Sequence, residues 1–311
     1  MPEPSHNSRE RLARAVHSLQ GLSCGDAFGE RFFLHPEVAQ PLIAQRAVPS
    51  PPWRYTDDTA MAIAIAEILE EHGEIRQALL AESFGKNFLA DPHRGYGAAM
   101  HSLLPELASA PSAWKQLAPA LFKGRGSFGN GAAMRIAPLG ANCADDLAKL
   151  AEQAELSAAI THSHPEGVAG AVAVALAAGL AWRHKDSPVP PRDFLQKVCD
   201  RTPESEVRRG IIEALALPSN VTVESAVAAL GNGAKVSAQD TVPFALWAAA
   251  SHLQNYEDAL WTTVSGLGDR DTTCAIVGGI VALSADADSI PPSWIQSREP
   301  IPAWFLYPRP G

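Results

Sequence analysis

The sequence predicts an all-α protein that folds as a compact, single-domain orthogonal bundle of many helices. Apolar residues recur at helical spacing along most of the 311 residues, whereas the alternation of apolar and polar residues that marks strands is scarce. No linker is long enough to force a domain boundary. We therefore expect one domain over residues 1–311, with an extended tail rich in proline and aromatic residues at 289–311.

The predicted helices follow one another with short breaks. The helix that begins at Ala60 is expected to stop at Gly73, and Ser163 and Glu166 have capping-box spacing before a strongly apolar helix. The apolar run of that helix has 16 residues, fewer than the ~20 that span a membrane, so we expect a buried core helix. In chain order the predicted helices are Arg11–Leu22, Ala60–Glu71, Asp145–Ile160, Gly167–His184, Arg192–Cys199, Glu204–Leu217, Val223–Leu230, Pro243–Leu253, Tyr256–Val264 and Cys274–Leu283, and His35–Pro52 is expected to be a loop.

The composition excludes several classes of protein. Hydrophobic residues make up 46% and charged residues 19%, which is typical of a compact soluble protein. The formal net charge of -9 argues against non-specific binding to nucleic acid or to an anionic membrane. The four cysteines lack zinc-type spacing and no secretory signal is visible, so we expect a reducing, cytoplasmic location.

Two acidic clusters lie toward opposite ends of the chain, each directly before an apolar helix. We call Thr56–Thr59 the first acidic cluster and Gly268–Thr273 the second. Buried carboxylates are costly unless a positive group lies among them, and hard divalent cations prefer carboxylate, hydroxyl and water oxygens. The pattern predicts a two-metal site built from both ends of the sequence. Helix capping is the alternative, but it explains only one polar residue at each junction.

A glycine-rich segment, Gly124–Gly131, which we call the glycine loop, is a candidate phosphate-binding element. Its glycines permit close backbone approach, so that N–H groups can cradle a phosphate. Ser127 and Asn130 can add side-chain hydrogen bonds, and Phe128 can stack on a base or ribose. The loop lacks the Lys-Ser/Thr ending of a P-loop, which disfavours a nucleotide triphosphatase. A flexible surface loop is the alternative.

Two further pairs of polar residues are candidates. His162 and His164 precede the long apolar helix, where either can contact a phosphate or ribose oxygen, or simply cap and pack. Asp26 and Glu30 stand four residues apart and share a helix face. One of these carboxylates can support the structure while the other acts as an acid or base, and a simple surface pair is the alternative.

Taken in order, these motifs resemble the ADP-ribosylglycohydrolase family, which includes dinitrogenase reductase-activating glycohydrolases and hydrolases of ADP-ribosyl-arginine and ADP-ribosyl-serine. The resemblance covers residues 10–285, nearly the whole chain, and five motifs in the family order are far more specific than any one alone. The matching segments are Gly25–Gly29, Thr56–Thr59, Gly126–Arg135, Thr161–His162 and Gly268–Thr272.

The resemblance implies a compact helical bundle and an enzyme that hydrolyses the glycosidic bond between ADP-ribose and an acceptor. It also implies a cleft with two Mg²⁺ ions, or Mn²⁺ in their place, that engage the ribose hydroxyls, and a glycine loop that holds the pyrophosphate. The implied metal ligands are Thr56, Asp57, Asp58, Asp269, Asp271 and Thr272. The implied ADP-ribose-binding residues are Gly126, Ser127, Phe128, Gly129, Asn130, Gly131, Met134 and His162.

The catalytic carboxylate has more than one candidate. Many family members carry a glutamate four residues after the second glycine of the first motif, where this chain has Phe33. We expect Asp269, or a neighbouring carboxylate that bridges the metal ions, to act as the base beside them. Glu30, nearly one helical turn before Phe33, is the second candidate, and Glu37 is the fallback.

Two rival functions stay open from the sequence. A two-metal phosphohydrolase acting on a nucleotide diphosphate would use the same carboxylates, and a protein that binds ADP-ribose without catalysis would keep the same fold. The acceptor is equally open among arginine, serine, a nucleic-acid end and a small metabolite, as is the oligomeric state.

Overall fold

The computed structural model describes residues 6–286 and 288–303, and within them the all-α prediction is confirmed. These residues form sixteen α-helices and two short 3-10 turns around one continuous hydrophobic core, and their only β pairing is two isolated bridges. The helices are α1 His6–Glu30, α2 Pro36–Ala44, α3 Asp57–His72, α4 Gln77–Ala90, α5 Met100–Ser109, α6 Trp114–Gly124, α7 Ala137–Asn142, α8 Leu147–Ala159, α9 Pro165–Arg183, α10 Pro191–Cys199, α11 Glu206–Ala216, α12 Val223–Leu230, α13 Ala238–Ser251, α14 Tyr256–Ser265, α15 Arg270–Val281 and α16 Pro292–Ser297.

Helices α1 and α15 pack along each other and join the two ends of the sequence. Gly21, Gly25 and Gly29 are spaced by four residues and therefore form a stripe on one face of α1. A Cβ atom at Gly25 would overlap the carbonyl oxygen of Cys274, and one at Gly29 would overlap that of Arg270. Only glycine allows the two backbones to approach this closely. The stripe therefore brings the start of α15 beside the second half of α1.

Helix α9 is the predicted core helix, with 78% of its most apolar window buried inside the protein. It begins at Pro165, two residues before the predicted start at Gly167. The N-cap is His164, whose Nδ1 accepts a hydrogen bond from the Glu166 backbone N–H at 3.1 Å, so the predicted capping box with Ser163 as the cap is wrong. Pro165 explains the shift, because its fixed φ and missing N–H suit the first position of a helix.

Helix α3 presents the first acidic cluster to the interior. Thr56 is its N-cap, and its hydroxyl oxygen accepts a hydrogen bond from the Asp58 backbone N–H at 3.3 Å. The helix ends at Gly73, as predicted, in the left-handed conformation with φ 69°. The acidic residues therefore lie at the N-terminal end of a helix whose remaining turns are largely buried.

Two segments that contain a proline differ from the predictions. The segment His35–Pro52, predicted to be a loop, contains α2, which begins at Pro36 and buries Ala39 and Ile43. Helix α13 begins at Ala238, before Pro243, so the proline lies within the second turn, where it removes one backbone hydrogen bond and crowds the preceding turn.

The C-terminal segment also differs from its expected extended course over part of its length. Residues Pro292–Ser297 form α16, which places Trp294 in the core, stacked on Phe28 with ring centroids 4.5 Å apart. The Trp53 backbone N–H then donates to Ser297 O at 2.7 Å. Residues 304–311 of the predicted tail lie outside the described residues.

Candidate functional site

The two acidic clusters meet where α3 and α15 begin. One carboxylate oxygen from each of Asp26, Asp58 and Asp271 lies within 4.8 Å of the other two. The Thr272 hydroxyl donates to Asp58 Oδ1 at 3.5 Å and so links the clusters directly. Three carboxylates this close together are a donor set that could hold a metal ion.

Asp26 supports the first acidic cluster as well as facing it. Its carboxylate accepts hydrogen bonds from the Thr56 backbone N–H at 3.0 Å, the Thr56 hydroxyl at 2.9 Å and the Thr59 backbone N–H at 3.1 Å, and also from the Thr59 hydroxyl. The structure thus assigns the supporting role in the Asp26–Glu30 pair to Asp26. Asp26 is not among the metal ligands expected from the sequence, although a carboxylate placed within a glycine stripe signals burial and a need for partners.

Burial raises the pKa of every carboxyl group in these clusters. Desolvation is the largest cause for each, and it raises the pKa of Asp26 to about 6 and that of Asp57 to about 7. The pKa values of Asp58 and Asp271 lie well above the usual range, first through desolvation and then through neighbouring aspartates. Asp58 Oδ2 is also buried without a hydrogen-bond partner among the described residues. A divalent cation fits this group, because it would satisfy that oxygen and offset the repulsion between the carboxylates.

Helix capping does not account for these residues. Thr56 caps α3, but Asp57 then remains as a carboxylate that is almost fully buried at the first helical position. Asp269 occupies the N-cap position of α15, yet its side chain makes no capping bond. Instead, Asp269 Oδ2 accepts a hydrogen bond from the Asn130 side-chain amide at 2.7 Å. The second acidic cluster is thereby joined to the glycine loop.

The glycine loop is a fixed part of the site. The Ala238 backbone N–H donates to Phe128 O at 2.9 Å, which ties the loop to the start of α13. Within the loop, Ser127 Oγ accepts a hydrogen bond from the Gly129 backbone N–H at 3.2 Å. Ser127 and Asn130 are both buried. These contacts argue against a flexible surface loop.

Three other predicted binding residues lie along the same segment. Gly126 has φ 72°, and a Cβ there would overlap the Ser163 hydroxyl, so both the backbone conformation and the packing require glycine. Met134 is buried, and its Cε lies 3.8 Å from where a Cβ of Gly131 would be. Gly126 and Met134 therefore help to fix the shape of the glycine loop.

Aromatic rings gather beside the loop. The Phe128 ring lies 6.3 Å from that of Phe122 and 5.5 Å from that of His164, measured between centroids. Phe122 reaches this place because the chain turns left-handed, with φ 52° at Phe122 and 62° at Lys123. Phe122 is not among the residues expected from the sequence. Its signal was an aromatic residue two positions before the glycine loop.

His162 lies buried against the glycine loop. A Cβ at Gly131 would lie 3.0 Å from His162 Nε2, and one at Gly129 would lie 3.2 Å from it, so these glycines make room for the imidazole. On the other side of the ring, Nδ1 is 2.8 Å from the Thr161 hydroxyl, which accepts a hydrogen bond from Arg135 at 2.8 Å. Burial, and then the Arg135 charge, lowers the pKa of His162 to about 3, so the ring is neutral.

The candidate acid Glu30 stands at the end of α1, on the rim of the acidic clusters. Its side chain is exposed, and its pKa is raised first by partial desolvation and then by the charge of Asp26. Phe33, at the position of the family glutamate, is exposed beneath the Arg270 guanidinium, 5.3 Å from its ring centroid. Glu37 lies exposed in the first turn of α2, 3.9 Å from His35 Nδ1. Glu30 is thus the glutamate whose charge is coupled to the cluster.

Comparison with known proteins identifies the family to which this site belongs. The family model for ADP-ribosylglycohydrolase matches residues 7–306. The chain belongs to the ADP-ribosylglycohydrolase family. It is 29% identical to ADP-ribosylhydrolase ARH3 of Homo sapiens, over 93% of this chain and 90% of that protein. It is 30% identical to ARH3 of Gallus gallus, over 79% of this chain and 74% of that protein.

The family resemblance predicted from the motifs is therefore confirmed, and the fold agrees with it. A solved structure described as an ADP-ribosylglycohydrolase-related protein complex covers 94% of both chains with a TM-score of 0.62, at 21% identity, which shows a shared fold. The ADP-ribosyl-[dinitrogen reductase] glycohydrolase of Rhodospirillum rubrum is 29% identical over 49% of this chain and 52% of that protein. Membership of the ADP-ribosylglycohydrolase family, together with the ARH3 relatives, supports hydrolysis of ADP-ribose linkages.

Proposed function

We propose that this ADP-ribosylglycohydrolase is a magnesium-dependent enzyme that cleaves the glycosidic bond between ADP-ribose and an acceptor, and so reverses ADP-ribosylation. One observation carries the proposal: the Asn130 side chain bonds to Asp269, so the phosphate-binding loop and the acidic clusters form one continuous site. A sugar bound over the carboxylates would have its attached phosphates beside the glycine loop. The acceptor can be a protein side chain, such as arginine or serine, or another ADP-ribosylated group.

Both acidic clusters would hold the metal ions. The proposed ligands are Thr56, Asp57, Asp58, Asp269, Asp271 and Thr272, with Asp26 as a further carboxylate at the same place. Their oxygen-only donor set suits Mg²⁺ or Mn²⁺. When bound, two such ions would act as Lewis acids toward the ribose hydroxyls and the attacking water.

The glycine loop and its neighbours would bind the rest of ADP-ribose. Backbone N–H groups between Gly126 and Gly131 can donate hydrogen bonds to a pyrophosphate. The missing side chains of Gly129 and Gly131 bring His162 against the same loop. His162 can donate a hydrogen bond to the same anion. The rings of Phe128 and Phe122 offer faces on which an adenine base can stack.

The reaction breaks the bond between the anomeric carbon of the ribose and the acceptor, through an oxocarbenium-like transition state. Asp269 would take the proton of the water whose oxygen bonds to that carbon. Glu30 would give its proton to the departing acceptor; partial burial, and then the charge of Asp26, raises its pKa, which favours the protonated form. Water supplies both the hydroxyl of the free ADP-ribose and, through these carboxyl groups, the proton of the acceptor.

A product analysis tests the proposal. The purified protein is incubated with ADP-ribosylated arginine, serine and nucleic-acid substrates, with Mg²⁺ or with a chelator, and the products are separated by chromatography. We expect intact ADP-ribose and free acceptor with Mg²⁺, and no turnover in chelator.

Each rival function has its own outcome in the same assay. AMP as the product would show cleavage of the pyrophosphate and favour the two-metal phosphohydrolase. Binding of ADP-ribose without turnover of any substrate would favour a non-catalytic binding protein. Full turnover in chelator would end the metal proposal.

We also propose a reducing, cytoplasmic location. All four cysteines, Cys24, Cys143, Cys199 and Cys274, are free and buried. Unpaired cysteines of this kind are usual in proteins of reducing compartments.

A further inference from the structure

The hydroxyl of Thr161 lies between a guanidinium and an imidazole. Arg135 Nη2 is 2.8 Å from Thr161 Oγ1, and Thr161 Oγ1 is 2.8 Å from His162 Nδ1. All three side chains are buried. An arginine only donates hydrogen bonds, so the Thr161 oxygen must accept from Arg135. The remaining question is where the Thr161 hydroxyl proton points.

Other buried threonines of this protein show the usual answer. Thr202, Thr241 and Thr263 each donate their hydroxyl proton to the backbone carbonyl four residues earlier, at 2.7 to 2.9 Å. At Thr161 that carbonyl belongs to Ser157; it accepts a hydrogen bond from Arg135 Nη2, and among the described residues no hydrogen bond joins it to the Thr161 hydroxyl. Among the described residues, the acceptor left for the Thr161 proton is His162 Nδ1.

The reverse arrangement is costly. If His162 Nδ1 carried the proton and donated it to Thr161, the Thr161 hydroxyl proton would be buried without an acceptor. Leaving a donor buried and unpaired disfavours that tautomer by a factor on the order of ten to one hundred. The hydrogen-bond geometry therefore places the imidazole proton on Nε2.

We propose that Arg135, acting through the Thr161 hydroxyl, fixes His162 as its Nε2-protonated tautomer and so makes it a standing hydrogen-bond donor at the glycine loop. Arg135 and Thr161 are positioning residues in this proposal. Its ligand, an oxygen of the anionic group in the loop, rests on the proposed function, whereas the tautomer does not.

The surroundings of Nε2 suit such a donor. It lies against Gly129 and Gly131, where side chains are missing, and forms no hydrogen bond with the described residues. The ring is neutral, because burial and the Arg135 charge lower the pKa of His162. A neutral imidazole has only one N–H, so the tautomer decides whether the ring donates to a bound anion or repels it with a lone pair.

Nuclear magnetic resonance on the free protein tests the tautomer. The chain has ten histidines, so ¹⁵N-histidine-labelled wild-type protein is compared with His162→Asn to assign the His162 ring. We expect a protonated Nε2 and an unprotonated Nδ1 at neutral pH. A ring protonated at Nδ1, or at both nitrogens, would overturn the proposal whatever the enzyme's substrate.

Variants test the two positioning residues. Thr161→Val and Arg135→Met should each give a mixture of His162 tautomers. Each should then bind ADP-ribose alone more weakly in calorimetry, by the inverse of the remaining Nε2-protonated fraction, which is about twofold for an equal mixture. Thr161→Ser keeps the hydroxyl and should keep both the tautomer and the affinity. A pure Nε2-protonated ring with undiminished affinity in both Thr161→Val and Arg135→Met would contradict the proposal that these two residues fix the tautomer of His162.

The two proposals fail separately. If wild-type His162 shows the Nε2-protonated ring but the protein does not turn over any ADP-ribosylated substrate, the proposed tautomer is confirmed and the proposed function is wrong. If turnover is normal and His162 is protonated on Nδ1, the proposed function is supported and the proposed tautomer is wrong. A Thr161→Val protein that does not fold leaves the wild-type measurement to decide.

Discussion

Gly25 of α1 lies directly against the backbone carbonyl of Cys274 on α15. This contact between glycine and backbone is one of three along the stripe, and together they bring the first and last parts of the chain within reach of each other. Asp26 follows Gly25 immediately, and Asp271 lies one turn before Cys274. The packing of two helices therefore determines the distance between carboxylates that are far apart in the sequence.

The glycine stripe can be tested with one methyl group. Gly25→Ala should destabilise the protein by about 3 kcal/mol, the upper part of the range for overpacking, because the new Cβ meets backbone that cannot move aside. Gly97→Ala is the matched control, since nothing lies within 4 Å of a Cβ there. Urea unfolding measures both. Equal stability of the two variants would contradict the close approach of α1 and α15.

Removing one carboxylate should separate activity from stability. We expect Asp271→Asn to lower turnover by more than about 100-fold, since even outer partners of a metal site are worth 10- to 100-fold. The metal-free variant should nevertheless melt at a higher temperature than metal-free wild type as the pH rises, because one of several buried carboxyl groups that repel one another can no longer ionise.

The control for this variant is Asp146→Asn. Asp146 is an exposed N-cap of α8, and asparagine caps equally well, so activity and melting should stay at wild-type values. Normal turnover in Asp271→Asn would contradict a role for Asp271 at the metal ions.

The metal-free protein should lose stability as the pH rises. The pKa values of Asp26 and Asp57 are about 6 and about 7 in the folded protein, against about 3.9 for an unfolded aspartate. The folded state therefore binds more protons, and the stability present below pH 4 is lost progressively as the pH rises to about 7. Melting temperatures in chelator should fall between pH 5 and pH 8.

Added Mg²⁺ should reverse this trend. A cation that binds only the folded, deprotonated clusters stabilises the protein more at pH 8 than at pH 5. The same melting series with Mg²⁺ measures the difference. A melting temperature in chelator that does not change with pH would show that the pKa values of these carboxyl groups are not raised.

Glutamine variants distinguish the catalytic roles of Glu30 and Glu37. Glu30→Gln should lower turnover by about 100-fold, as expected for loss of a general acid, and remove the fall in rate at alkaline pH. Glu37→Gln should stay within about twofold of wild type, since surface changes away from a site rarely matter. A wild-type rate in Glu30→Gln together with a reduced rate in Glu37→Gln would assign the role of general acid to Glu37 instead.

Local rules predicted much of the helical content. The repeating apolar positions indicated the core helices, and the stop at Gly73 followed from its place after a long helix. Prediction was weaker where prolines lie inside or at the start of helices, as at Pro36 and Pro243, because the same residue favours a helix start and breaks a helix interior.

The sequence by itself determined the chemistry available at the site: carboxylates and hydroxyls before two helices, a glycine loop and two histidines before the long apolar helix. Only the tertiary structure decided which of these groups face one another. It placed Asp26 with the acidic clusters, joined Asn130 to Asp269 and brought Phe122 beside Phe128. The reason is physical: residue types fix charge and hydrogen-bonding capacity locally, whereas distances between remote residues depend on how closely helices such as α1 and α15 pack.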